Sequence, residues 1–251
     1  MIDPVVFLLV FIRVSLILMF IPMFGSPMIP WIVKAGFSLL LSICILSSMN
    51  VNIETLSNGM LFLSIISDFV VALSIGIIAR FIFDGIQLAG EFISYEMGFT
   101  VVNIIDPLSN VQVSLLSQLK QLIAILVFFG INAHYLLIKV IFESFKYIPL
   151  GKPVFSEGVF ENIIKLSSKI FLLGFRLSVP VIITMFIVNI ALGIMNKVMP
   201  QLNIFILSFP IYIGLGLLIM GIFMPFFVRL IKESIDFMIA EIYRNIQLMG
   251  V

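Results

Sequence analysis

Residues 170–195 read IFLLGFRLSVPVIITMFIVNIALGIM, from Ile170 to Met195, with Arg176 as the single charge. A helix needs about 20 mostly apolar residues to cross the hydrocarbon core of a bilayer, and this run exceeds that. Its apolar residues surround the helical wheel instead of forming one stripe, which marks a helix enclosed by lipid or by other protein. Working outward, five more stretches approach the same length: 5–24, 28–49, 60–83, 122–142 and 204–228. The expected fold class is therefore all-α, a hydrophobic, membrane-associated chain forming one helical domain over 1–251.

Composition agrees. The chain has 251 residues, of which 62% are hydrophobic and 11% charged. Soluble domains run nearer 45–50% apolar and about 25% charged. With so few polar residues, a soluble monomer could not cover its surface. The same figures exclude disorder and a collagen-like chain. A net charge of +1 without a basic block excludes a nucleic-acid binder. Cys44 is the only cysteine, which excludes an intrachain disulfide; by residue preference it is expected to be buried. The N-terminus lacks a basic start and a small-residue cleavage site, so it does not read as a cleavable signal.

Prolines and polar residues punctuate the stretches. Pro22, Gly25, Pro27 and Pro30 make a helix break, because proline lacks an N–H and restricts the residue before it. Residues 50–58 form a polar loop. The longest interruption is expected from Asp84 to Gln121, with Asp106-Pro107 as an N-cap followed by proline at the first helical position. A further loop carries Pro149, Gly151 and Pro153. Glu157, Glu161, Lys165 and Lys169 then repeat at four-residue steps along one helix face. The last break is Met199 to Asn203, and the tail from Arg229 is amphipathic.

Six charges lie inside the apolar runs: Arg13, Lys34, Asp68, Arg80, Lys139 and Arg176. Each would cost about 2.5–3.5 kcal/mol at the centre of a bilayer. Arg80 and Asp84 sit one helical turn apart and can pair, as can Lys139 and Glu143. Arg13, Lys34 and Arg176 have no neutralising neighbour in sequence, so they must snorkel, meet water or find partners elsewhere. Counted over six spans, the basic residues place both termini in the cytoplasm.

No catalytic constellation is visible. His134 is the single histidine, so a histidine-based metal site is excluded. There is no glycine-rich phosphate loop, and no cofactor is called for. The serines of the apolar runs are expected to bond helix carbonyls, and Gly214, Gly216 and Gly221 to allow close helix packing. A small secondary transporter would need a midplane site and often an internal repeat, and neither is evident. A membrane-anchored assembly protein without a pore is the other alternative.

Several motifs, taken in order, resemble those of the FliR family, subunits of the bacterial flagellar type III export gate. Pro200, Gln201, Asn203 and Phe205, followed by Phe209-Pro210, resemble its late Pro-Gln-x-Asn-x-Phe pattern. Pro22 to Gly25 resembles its early break. Gly90 and Glu91 after Ala89, and Gly98 after Met97, resemble its central motifs. Asp106-Pro107 follows, and then Ser144-Phe145 with Ile148-Pro149-Leu150-Gly151. Lys197, Glu96 and Ala133 depart from the Arg, Gln and Gly usual in the family. SctT-type injectisome subunits share the pattern; the central motifs favour the flagellar system.

The resemblance implies a hetero-oligomeric helical assembly with FliP and FliQ, supported by FlhB and FlhA, in the inner membrane at the flagellar basal body. Unfolded export substrates pass through its closed entrance channel. The resemblance also implies that a loop plugs the pore. Here that loop comprises Asn103, Ile104, Ile105, Asp106, Pro107, Leu108, Asn110, Val111, Gln112, Val113, Leu115 and Leu116. Its apolar residues suit a gate that closes by excluding water. Arg13, Lys34 and Arg176 are then expected to meet carboxylates or carbonyls of neighbouring subunits, and membrane lipid is expected as a further partner of the chain.

Overall fold

The computed structural model describes residues 4–25, 29–48, 58–99, 114–150, 157–201 and 203–250. Among them every regular element is a helix: α1 (Pro4–Phe20), α2 (Pro22–Gly25), α3 (Trp31–Ser48), α4 (Asn58–Glu96), α5 (Leu115–Gly130), α6 (Ala133–Tyr147), α7 (Glu157–Val198), α8 (Ile204–Ile222) and α9 (Met224–Met249). Among the described residues, three helices are long and apolar enough to cross a membrane: Trp31–Ser48, Phe62–Glu96 and Gly158–Val198. The number rises to five if the broken pairs α5–α6 and α8–α9 each count as one span.

The breaks have local causes. Asn132, between α5 and α6, has φ 58°, a left-handed conformation that asparagine tolerates better than most side chains. Between α8 and α9, Pro225 cannot donate a hydrogen bond back to the preceding turn. At the start of α8 the Asn203 side chain accepts a hydrogen bond from the Ile206 N–H, capping the helix.

The expected interruption from Asp84 to Gln121 is much shorter. Helix α4 runs through Asp84 and Glu91 to Glu96, and α5 begins at Leu115. Over this part of α4 the apolar pattern narrows from all-round to a stripe. Phe83, Ile86, Ala89 and Ile93 are buried at helical spacing while Glu91 points outward. The polar residues mark an amphipathic turn of the same helix. The apolar runs 122–142 and 204–228, by contrast, each divide at an internal break.

The chain divides into two compact units. The first comprises Met1–Ile82, Ile131–Ser167 and Ile235–Val251, the second Phe83–Gly130 and Ser168–Ser234. Helices α4, α7 and α9 contribute residues to both.

In the first unit α1 packs on α3. Val6, Val10, Val14 and Ile17 of α1 are buried, as are Ile45, Val71, Ala72 and Ile75. Phe20 lies where a side chain on Gly76 would stand. In the second unit Ile93, Met97, Leu116, Val181, Met185 and Met220 form a continuous core. Gly85 and Gly174 let α4 and α7 approach closely there: a Cβ on Gly174 would come within 3.2 Å of the Gly85 carbonyl oxygen. Gly216 packs against Met97, whereas Gly214 and Gly221 face open space. Of the three glycines expected to serve close packing, only Gly216 does so within this chain.

Candidate functional site

The positions Asn103, Ile104, Ile105, Asp106, Pro107, Leu108, Asn110, Val111, Gln112 and Val113 lie outside the described residues. Helix α4 ends in a glycine-terminated motif, with Gly98 at φ 79°. The Phe99 N–H reaches the Ser94 carbonyl at 2.9 Å and the Gly98 N–H the Tyr95 carbonyl at 3.1 Å. That six-to-one, five-to-two pairing requires a left-handed residue. The Phe209 ring lies 3.2 Å from where a Cβ on Gly98 would stand, which also favours glycine there.

On the other side Ser114 caps α5, its Oγ accepting from the Ser117 N–H at 3.1 Å. A hydroxyl chain then ties α5 to α4. Ser94 donates to Ser114 at 2.8 Å, Ser114 to Ser117 at 2.7 Å, and Ser117 to the Gln87 carbonyl at 3.1 Å. Gly90 makes the approach possible, since a side chain there would overlap the backbone of Ser117. Leu115 is exposed and Leu116 is buried in the core of the second unit. These two expected plug residues open helix α5. The end of α4 and the start of α5, which precede and follow positions 100–113, are thus stapled together.

The first unit holds a buried ion pair. Arg13 and Asp68 are both fully buried. Arg13 Nε donates to Asp68 Oδ1 at 2.8 Å, and Nη2 donates to the same oxygen. Nη1 donates to the Ile148 carbonyl at 2.7 Å and the Ser144 carbonyl at 3.4 Å. The guanidinium also lies 4.5 Å from the centre of the Phe145 ring. Arg13 was expected to reach a neighbouring subunit, but it finds its carboxylate and carbonyls within its own chain. Sequence spacing could not reveal this, because Asp68 is 55 positions away.

The other expected charges lie differently. Lys34 is half-buried on α3. Arg80 is exposed and Asp84 half-buried, one turn apart on α4. Arg176 is exposed on α7, beside exposed Leu172 and Phe175. Lys139 pairs with Glu143 at 3.7 Å and Lys165 with Glu161 at 2.7 Å. Of the family motif residues, Gly90 and Gly98 act at the stem, and exposed Glu91 accepts from Gln87 at 3.1 Å. Pro200 and Gln201 form an exposed turn ahead of the Asn203 cap, and Phe205 is the second residue of α8. Cys44 is exposed, contrary to its expected burial, because α3 turns it outward beside Ile43.

Three features escaped the sequence reading: the serine staple; Lys120, buried in the second unit against Phe227; and a buried polar cluster in the first unit. There Asn162 donates to Glu241 at 3.3 Å and Asn245 at 3.4 Å, and Asn245 donates to Ser74 at 2.6 Å. Each joins residues distant in sequence, so no local pattern announces it. Among the described residues no group of three or more His, Cys, Asp or Glu side chains could hold a metal ion.

Comparisons with known proteins identify the family. Residues 5–238 match the family described as bacterial export proteins, family 1. The chain is 32% identical over 248 residues to the flagellar biosynthetic protein FliR of Bacillus subtilis, covering 98% of this chain and 96% of that one. It is 28% identical over 233 residues to FliR of Escherichia coli, covering 92% and 87%. FliR of Aquifex aeolicus is 29% identical over 227 residues, covering 87% and 84%. An all-helical chain with spans of membrane length, matched nearly end to end, belongs to the FliR family of flagellar export-gate subunits.

Proposed function

We propose that this chain forms part of the closed entrance channel of the flagellar export gate, with segment 100–113 as its plug. It assembles with FliP and FliQ, is supported by FlhB and FlhA, and lies in the cytoplasmic membrane at the base of the flagellum. Unfolded flagellar proteins are its cargo.

The observation that carries the plug reading is the staple at Ser94, Ser114 and Ser117. Fixed stems hold the ends of a segment rich in apolar and neutral polar residues. Ile104, Ile105, Leu108, Val111 and Val113 close a narrow path by excluding water. Asn103, Asn110 and Gln112 line that path without gripping a passing chain.

Deletion of Pro107 to Val113 tests the plug. Cells carrying it should leak small ions, seen as a fall in membrane potential, while the complex is still recovered. Unchanged permeability with an intact complex would overturn the plug reading and leave family membership untouched.

A further inference from the structure

Lys120 lies in the second turn of α5 with 4% of its surface exposed. Its Nζ sits 3.3 Å from the centroid of the Phe227 ring. Among the described residues, no carboxylate or carbonyl accepts a hydrogen bond from it. A lysine ammonium has three donors and no acceptor, and the ring face engages one direction.

Beside it is a cavity of about 10 Å³, lined by Lys120 with Ile86, Leu177, Met220, Phe227 and Ile231 among others. Among the described residues, Lys120 is the one polar residue lining it. Methionine would fill the same space without the cost of removing an ammonium from water. A cation kept in such a place needs a counter-charge from outside this shell.

We propose that this cavity receives a single carboxylate, from an Asp or Glu side chain on an apolar helix of a neighbouring subunit, and that Lys120 selects it. The proposal rests on the chain being a subunit of a complex. Charge fixes the sign of the ligand, and size narrows its kind. About 10 Å³ is room for one water-sized group, the size of one carboxylate oxygen, and the apolar walls offer no donor to the further oxygens of a lipid phosphate. Lys120 follows the Ser114–Ser117 staple by one turn, so the contact would fasten the partner beside the stem of segment 100–113.

Dicyclohexylcarbodiimide, which enters apolar sites, tests the pairing in membranes holding the assembled complex. It activates a carboxyl group; an adjacent lysine amine displaces the urea and leaves an amide. Mass spectrometry should find a peptide containing Lys120 joined to an Asp or Glu of another subunit. The Lys120→Met variant should lose that product and lower complex recovery by about tenfold or more, as expected when one partner of a buried charge pair is removed. The yield of the chain itself should hold.

A link from Lys120 to an acid of its own chain, such as Asp106, would overturn the proposal. So would no link at Lys120 when the Lys165–Glu161 pair, 2.7 Å apart, is coupled in the same sample. Full recovery of the Lys120→Met complex would also overturn it. If the unaltered chain yields no complex, the subunit reading falls together with this site; if a complex forms without the link, only the site falls.

Discussion

Arg13 shows how much a single buried charge depends on its partners. Its guanidinium is out of water, and Asp68 with two backbone carbonyls replaces the lost hydration. Removing one partner of such a pair costs about 3–5 kcal/mol, because the other stays buried and uncompensated. Asp68→Ala should therefore lower the unfolding midpoint of the detergent-solubilised chain strongly. The double variant Arg13→Met, Asp68→Leu should recover most of the loss, since apolar replacement of a buried pair is often neutral. A double variant as unstable as the single one would mean that the carbonyl contacts, not the ion pair, dominate. Arg176 is the opposite case, exposed on an apolar face. Arg176→Leu should leave expression unchanged and reduce recovery of the assembled complex; equal recovery would show that this cation serves no neighbour.

At the scale of elements, the α4–α5 junction depends on two glycines for different reasons. Gly90 is needed for space and Gly98 for backbone conformation. Gly90→Leu should pry α5 from α4, breaking the Ser117–Gln87 contact and speeding hydrogen exchange at the amides of residues 117–120. Gly98→Ala should leave that staple in place and cost about 1 kcal/mol, the usual penalty for a left-handed alanine, again read from the unfolding midpoint. Comparable exchange in both variants would contradict this division of roles. The ends of these helices were legible in advance where a side chain signals them. Asn203, Pro22 and Pro30 carry their meaning locally. The end of α4 at Glu96 was not legible, because Asp84 and Glu91 resemble a loop until the buried stripe of Phe83, Ile86, Ala89 and Ile93 is traced in space.

Across the whole molecule, helix length and bilayer thickness do not match. Gly158–Val198 spans 41 residues, about 61 Å at 1.5 Å per residue, against a hydrocarbon core of about 30 Å. Exposed Phe171, Ile187 and Val198 are spread along this helix, and the stretch from Phe171 to Val198 alone rises about 40 Å, so one bilayer covers them all only with strong tilt. Single cysteines placed at Phe171 and Val198 in a Cys44→Ser chain should differ in quenching by a lipid-borne quencher, and both should be shielded on assembly. Equal quenching in the isolated chain and unchanged quenching in the complex would favour ordinary lipid-facing spans. Hydrophobic run length and motif order alone determined the all-helical class, the membrane association and the family, because these depend on local composition and spacing. Tertiary structure alone decided that Arg13 meets Asp68, that three serines staple the end of α4 to the start of α5, and that Lys120 is buried with no carboxylate beside it among the described residues. Each of those outcomes depends on which distant residue a helix face meets, and helical periodicity places a side chain on a face without naming what lies opposite.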